Sequence, residues 1–262
     1  MSEPLLRADG LSRSYRLPRT SLLGSRAVRH AVREVTFELA EGSSLGIVGE
    51  SGAGKSTLIR LLLALDRADA GTVRYRGRDV RPGRPGALRW FRREVAVVLQ
   101  DPMSSLDPRM TIGRTVAQPL RALAVPGDHA ARVAEVLTAV GLDPEAGARY
   151  PHQFSGGQRQ RAAIARALAP RPRVLVGDEP VSALDVSTRA QVLDLLAGLA
   201  AAERLSVIVV SHDLGVVRQL CDQVLILHDG AVVEQGPTAR VFERPGHAYT
   251  RTLLDAVPRL PI

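Results

Sequence analysis

Cysteine is almost missing from this sequence. Cys221 is the only one in 262 residues. That excludes a disulfide framework, a four-thiolate zinc site and a cysteine-ligated iron–sulfur cluster, and it fits a reducing compartment. Aromatic residues make up 3%, too few for a platform that stacks nucleic-acid bases. No apolar run approaches the ~18 residues needed to span a bilayer. Met1–Tyr15 has no apolar stretch of signal-peptide length. The chain is therefore expected not to cross a membrane itself. No repeat of about 20–50 residues is visible, which argues against solenoids and propellers. Lysine is nearly absent too: Lys55 is the only one among 35 basic side chains.

What is present suits a folded enzyme. Apolar residues reach 45%, enough for a sizeable core, and the length fits one large domain or two small ones. The charge balance is 35 − 27 = +8, with an isoelectric point near 10.7. Such a balance suits nucleic acid or an anionic membrane surface. Here the arginine excess looks like a general compositional bias, and the Arg74–Arg93 segment reads as a solvated surface. Nucleic acid is not an expected partner.

Short apolar runs bounded by turn residues read as buried strands at Leu45–Val48, Val95–Leu99, Val174–Val176, Val207–Val210 and Val224–Leu227. Helical patterns lie between them, at Thr57–Leu65, Ala130–Val140, Gln158–Leu168 and Arg189–Ala201. This alternation predicts a mostly parallel sheet covered on both faces. Val35–Leu39 and Thr72–Tyr75 read as edge or antiparallel strands, Arg16–His30 and Arg78–Pro85 as loops. Residues 101–157 carry no convincing strand and read as a helical insertion.

Gly49-Glu50-Ser51-Gly52-Ala53-Gly54-Lys55-Ser56-Thr57 fits G-x-x-x-x-G-K-[ST]. It follows a predicted strand and opens a predicted helix, the context this phosphate-binding motif requires. Its glycines allow backbone N–H groups to turn inward around phosphates. The helix start adds positive partial charge. Lys55 offers a compact ammonium to the β- and γ-phosphates, where a branched guanidinium would fit badly. Ser56 offers its hydroxyl to Mg²⁺. The alternative, a glycine-rich turn without a ligand, fits a full motif in context poorly.

Arg173–Val176 is an apolar strand that runs through Gly177 into two acids, Asp178 and Glu179. Ligands of open α/β sheets bind beyond the carboxyl ends of the strands. Asp178 is then a Mg²⁺ ligand, through water, and Glu179 the base for the water attacking the γ-phosphate. Taken alone, such a pair is more often a helix cap or a solvent-facing turn. The phosphate loop in the same chain reverses that preference.

Phe154-Ser155-Gly156-Gly157-Gln158 precedes a helix and forms a second anion-binding helix start. At these residues the sequence resembles the ATP-binding subunits of ABC transporters. Their signature is serine-glycine-glycine-glutamine. The resemblance implies an α/β fold, with a P-loop NTPase (RecA-like) core and parallel sheet. It also implies an N-terminal antiparallel β subdomain and an inserted α-helical subdomain. The whole chain, 1–262, would be one ATPase domain. Its core and β subdomain would cover about 1–100 and 158–240, the helical subdomain about 101–157, and a tail about 241–262. ATP would lie between the phosphate loop of one protomer and Ser155, Gly156, Gly157 and Gln158 of another. Gln100 matches the glutamine that touches Mg²⁺ or water and senses the membrane partner. Asp185, in Ser182-Ala183-Leu184-Asp185, matches the loop that crosses to the opposite protomer. His212 matches the histidine on the γ-phosphate. Tyr15 is the candidate for stacking on adenine, a contact of about 1–3 kcal/mol; its plainer reading is a partly buried core or edge-strand tyrosine.

Gln100-Asp101-Pro102-Met103-Ser104-Ser105-Leu106-Asp107-Pro108-Arg109-Met110-Thr111, Tyr150-Pro151-His152-Gln153 and the tail from Val233 to Arg251 are similar to the dipeptide, oligopeptide and nickel importer branch. That tail reads as a turn, a short helix and a proline-broken loop. Phe154, Gly177 and Val181 depart from the usual leucine, alanine and threonine, and the terminal cysteine cluster of some members is missing. The resemblance implies a peripheral subunit on the cytoplasmic face of the inner membrane that hydrolyses ATP with Mg²⁺ and drives uptake of a solute, with peptide as the expected class. Its partners would be two membrane permeases, a second ATPase subunit, identical or different, and indirectly an extracytoplasmic solute-binding protein. The alternative is an ABC-type subunit of a soluble enzyme complex, such as one that breaks carbon–phosphorus bonds, or another non-transport ABC ATPase, such as one associated with nucleic acid or ribosomes.

Overall fold

The computed structural model describes residues 3–16, 28–100 and 105–256. In chain order the strands are β1 (Leu6–Arg16), β2 (Val28–Leu39), β3 (Ser44–Val48), β4 (Ala70–Tyr75), β5 (Arg78–Val80), β6 (Val95–Val98), β7 (Val174–Asp178), β8 (Ser206–Ser211), β9 (Gln223–His228) and β10 (Ala231–Pro237). The helices are α1 (Lys55–Leu62), α2 (Arg89–Glu94), α3 (Ile112–Ala122), α4 (His129–Ala139), α5 (Gly156–Leu168), α6 (Val186–Glu203), α7 (Leu214–Leu220), α8 (Thr238–Glu243) and α9 (Ala248–Asp255). These elements form two compact units. One holds the residues up to 84 and those from 210 onward; the other holds residues 85–209.

The first unit contains an antiparallel sheet in the order β2-β1-β4-β5. Leu6 pairs with Leu39 on one side and Tyr75 on the other, and all three are buried. The unit also carries the strand series β10-β9-β3. β3 runs parallel to β9, and β10 returns antiparallel. The turn between β9 and β10 is Asp229-Gly230, both at positive φ (44° and 79°), the conformation that a two-residue hairpin requires. Burial of Cys221 pushes its thiol up to about 12, which keeps it protonated and unreactive at neutral pH.

The second unit has β6, β7 and the first four residues of β8, in the order β8-β7-β6, with β6 parallel to β7 and Val98 paired with Gly177. Every residue of β8 is buried, as for a strand covered on both faces. Around the strands lie helices whose starts the sequence marks. Thr111 caps α3, and Asp128 caps α4 by accepting from Ala130 and Ala131 at 2.8 and 3.1 Å. Among the described residues, 105–157 contain helices and single 3-10 turns but no strand, in keeping with the helical reading.

Several expectations are corrected. Arg16–His30 is not all loop: Arg16 ends β1 and Val28–His30 begins β2, while 17–27 lie outside the described residues. Arg78–Val80 is a strand, because the Arg76-Gly77 turn, both at positive φ, folds it back on β4. Val233–Gly236 is strand rather than turn, since β10 pairs with β9. The phosphate-loop helix begins at Lys55, the signature helix at Gly156 and the helix after Asp185 at Val186. Each starts two or three residues earlier than apolar periodicity alone suggests, because caps and not apolar residues define a helix start.

Candidate nucleotide site

The phosphate loop belongs to the first unit and leaves the buried end of β3. Gly54 sits at φ 106°, and a Cβ there would overlap the Ala31 carbonyl oxygen. Only glycine meets both conditions. Neighbouring strands hold the loop from outside. The Gly230 amide donates to the Ala53 carbonyl at 3.0 Å, while the Gly230 carbonyl accepts from Arg33 N at 2.7 Å. The Arg29 guanidinium donates to the Gly52 carbonyl at 2.9 Å. Lys55 is 8% exposed, and its ammonium donates to the carbonyls of Gly49 and Glu50 at 2.6 and 2.9 Å. It is thus held at the loop, not spread into solvent. Ser51 and Ser56 are exposed and Thr57 half-buried.

Tyr15 and His212 lie in the same unit. Tyr15 pairs in register with Arg29, whose guanidinium touches the loop. The Tyr15 hydroxyl donates to Asp66 at 2.6 Å, and the Arg13 guanidinium lies 4.8 Å from the ring centroid. One face of the ring is therefore already covered. His212 is exposed and follows β8. It sits between Ser211, which accepts from Asp213 N, and Asp213, which caps α7 through Gly215 N.

The second unit carries Gln100, Ser155–Gln158, Asp178, Glu179 and Asp185. Because Val98 pairs with Gly177, Gln100 and Asp178 leave adjoining parallel strands at the same carboxyl edge. Glu179 has φ 50°, a strained value for a residue with a side chain. The strained turn is held on both sides. Ser182 donates from N and Oγ to the Glu179 carbonyl at 3.3 and 3.1 Å, and the buried Gln160 of α5 donates from Nε2 to the Pro180 carbonyl at 2.5 Å. At Gly177 a Cβ would lie 3.0 Å from Pro180 Cγ.

Ser155 forms a capping box with Gln158: each side chain accepts from the other residue's backbone N–H, at 3.3 and 3.0 Å. The opening amides of Gly156 and Gly157 precede the first intrahelical bond, leaving them on the side where an anion binds. A Cβ at Gly157 would overlap the Thr188 methyl, so α5 starts directly against α6. Asp185 caps α6, accepting from Thr188 N at 3.0 Å and Ser187 Oγ at 2.7 Å. Those hydrogen bonds, led by the Thr188 amide, hold its carboxyl far below the usual range. The signature and Asp185 thus meet in one unit.

Among the described residues no group of three His, Cys, Asp or Glu side chains is placed to hold a metal. Mg²⁺ needs no such group when substrate phosphates complete its shell, and the oxygen donors of Ser56 in the first unit and of Gln100 and Asp178 in the second are each of a chemical type that suits a hard cation. Sequence reasoning missed Arg29, Ala31 and Gly230, and gave no role to Gln160. Of these only Gly230 had a signal, an Asp-Gly turn after an apolar run.

Residues 32–182 match the family described as ABC transporter, and residues 233–261 match the oligopeptide/dipeptide transporter, C-terminal region. The glutathione import ATP-binding protein GsiA of Escherichia coli K12 is 48% identical over 260 residues, 98% of this chain and 41% of that protein. Its counterpart in Shigella dysenteriae gives the same figures. The chain therefore spans 41% of the length of these curated relatives. Among solved structures, the ATP-binding cassette MJ0796, a dimer in a post-hydrolysis state bound to ADP and Pi, has a TM-score of 0.76 at 28% identity, covering 89% of this chain and 98% of that one. The cbiO1 protein of Clostridium perfringens, part of the ABC transporter complex cbiONQ, has a TM-score of 0.78 at 24% identity, covering 98% and 97%, and supports the fold.

Proposed function

The chain belongs to the ABC transporter family, and from that premise we propose that it is the ATP-hydrolysing subunit of a bacterial importer that takes up peptides. The observation that carries the peptide class is the C-terminal match at residues 233–261, joined to 48% identity with a glutathione import protein over 98% of this chain. Glutathione is itself a tripeptide, so both point to one chemical class.

The roles divide by chemistry. Lys55 and the loop amides take the phosphates, and Ser56, Gln100 and Asp178 are the Mg²⁺ donors. Bound Mg²⁺ would neutralise phosphate charge as it shifts toward the leaving group. Glu179 accepts the proton of the attacking water, and His212 donates to the γ-phosphate. Tyr15 offers its ring face not covered by Arg13 to adenine. Ser155, Gly156, Gly157, Gln158 and Asp185 serve the nucleotide of a second ATPase subunit across a head-to-tail dimer, and 1–262 works as one ATPase domain.

Among the described residues no helix is long and apolar enough to cross a membrane, so the reading requires separate permeases. Within the second unit an open cleft of about 500 Å³ is lined by Pro85, Arg89, Val95, Val97, Pro119 and Arg166, among others. A short cytoplasmic helix of a permease fits such a cleft, with the chain held peripherally at the inner face of the membrane.

The test is affinity purification of the tagged chain from detergent-solubilised native membranes. Two multi-span permeases should follow it, and ATP turnover by that assembly should rise with a peptide-loaded binding protein. Recovery only from the cytosol with soluble enzymes would overturn the importer reading and leave the ATPase standing.

A further inference from the structure

One side chain of the C-terminal region touches the phosphate loop. Tyr249, the second residue of α9, accepts a hydrogen bond at its hydroxyl from the Glu50 amide at 3.2 Å. The same Gly49–Glu50 peptide unit presents its carbonyl, Gly49 O, to the Lys55 ammonium at 2.6 Å. A trans peptide points its N–H and C=O to opposite sides. Tyr249 and Lys55 therefore grip one peptide plane from opposite edges.

Tyr249 is itself held from several directions. Its ring stacks on His228, with 3.8 Å between centroids. His228 ends β9 and precedes the turn whose Gly230 amide supports Ala53. Glu234 of β10 accepts from Gly246 N at 2.7 Å and His247 N at 3.1 Å, which seats the segment leading into α9. His247 then accepts from Tyr249 N at 3.2 Å and caps that helix. All these residues belong to the first unit. Burial raises the Tyr249 phenol above its ordinary pKa, so the hydroxyl stays neutral and does not face the phosphates as an anion.

We propose that Tyr249 is a positioning residue for the phosphate loop, through which the C-terminal region sets the affinity of the site for ATP. The inference rests on the ATPase reading. It makes the tail part of the nucleotide site without any contact to nucleotide.

The test compares the full chain with its Tyr249→Phe variant, which keeps the ring stack and removes the acceptor oxygen. One neutral hydrogen bond translates into about 2- to 10-fold. The KM for ATP should rise by that factor while kcat stays within about twofold. Hydrogen exchange at the Glu50 amide should accelerate, and Glu234→Gln, which loosens the segment before α9, should move both readouts in the same direction. Thr252→Ala, on the same helix, removes a hydroxyl that donates to the Ala248 carbonyl and should change neither. An unchanged KM and unchanged Glu50 exchange in a folded Tyr249→Phe variant would overturn the proposal. So would a fall in Tm and kcat together at constant KM. A wild-type chain that binds no ATP would sink the ATPase reading and this inference with it, a failure recognisable because it precedes any substitution.

Discussion

Gln160 and Pro180 are joined by a 2.5 Å hydrogen bond from side-chain amide to backbone carbonyl, and both residues are buried. The bond ties the helix that opens on the signature to the turn that carries Glu179. Replacing Gln160 with Leu leaves the Pro180 carbonyl buried without its donor, at a cost of about 1–3 kcal/mol. Calorimetry should record a lower Tm. Turnover should fall more than ATP affinity, because the strained Glu179 turn loses its brace. Equal losses in both would mean that the bond serves stability alone.

Gly54→Ala places a Cβ against the Ala31 carbonyl at a φ of 106°. The strain amounts to about 1–3 kcal/mol, and the loop can relieve it only by moving away from β2. The variant should lose its ATP-induced rise in Tm in a thermal-shift assay. A wild-type response would show that the loop tolerates the shift.

Glu179→Gln keeps the size of the side chain and removes the proton acceptor. ATP binding should persist and turnover should drop by about 10²–10⁴, the usual contribution of a general base. Unchanged steady-state hydrolysis would take Glu179 out of the base role.

Asp66 links acid sensitivity to the first unit. The Tyr15 hydroxyl, followed by the Arg67 amide and Arg13, holds its carboxyl below the ordinary carboxylate range. A folded pKa below the unfolded one, about 3.9, stabilises the fold above that value. The gain disappears as the pH falls through the lower folded pKa. Asp66→Asn should therefore be less stable at neutral pH, and its stability should change less below about pH 4. Parallel Tm curves for the two proteins from pH 6 to pH 3 would contradict this.

Legibility in the sequence followed whether a site is continuous. The phosphate loop, the signature and the Asp178-Glu179 pair are each one short run, so residue order alone exposes them. The braces around them join distant positions: Arg29 to Gly52, Gly230 to Ala53, Tyr249 to Glu50. No local pattern announces such pairs. Strand β1 is hard to read in the sequence for a related reason. Its register on β2 slips between Ala8 and Ser14, so buried positions do not alternate as period-two reading expects. The short helix α2 lay hidden in an arginine-rich stretch whose one well-buried side chain is Phe91. Pro119 sits inside α3, at a place where sequence reading ends helices. By contrast, the sequence places β7, β8 and β9 to within one or two residues, because continuous apolar runs bounded by turns have few other readings.

The Asp229-Gly230 turn looks like a place to open or lengthen the chain: short, at a hairpin tip, made of two residue types that tolerate positive φ. Its amide and carbonyl are nevertheless committed to Ala53 and Arg33. An inserted tag, a fluorescent domain or new termini at this point would remove the outer wall of the phosphate loop. Gly127, between α3 and α4, has open space around it and is the better point for such engineering.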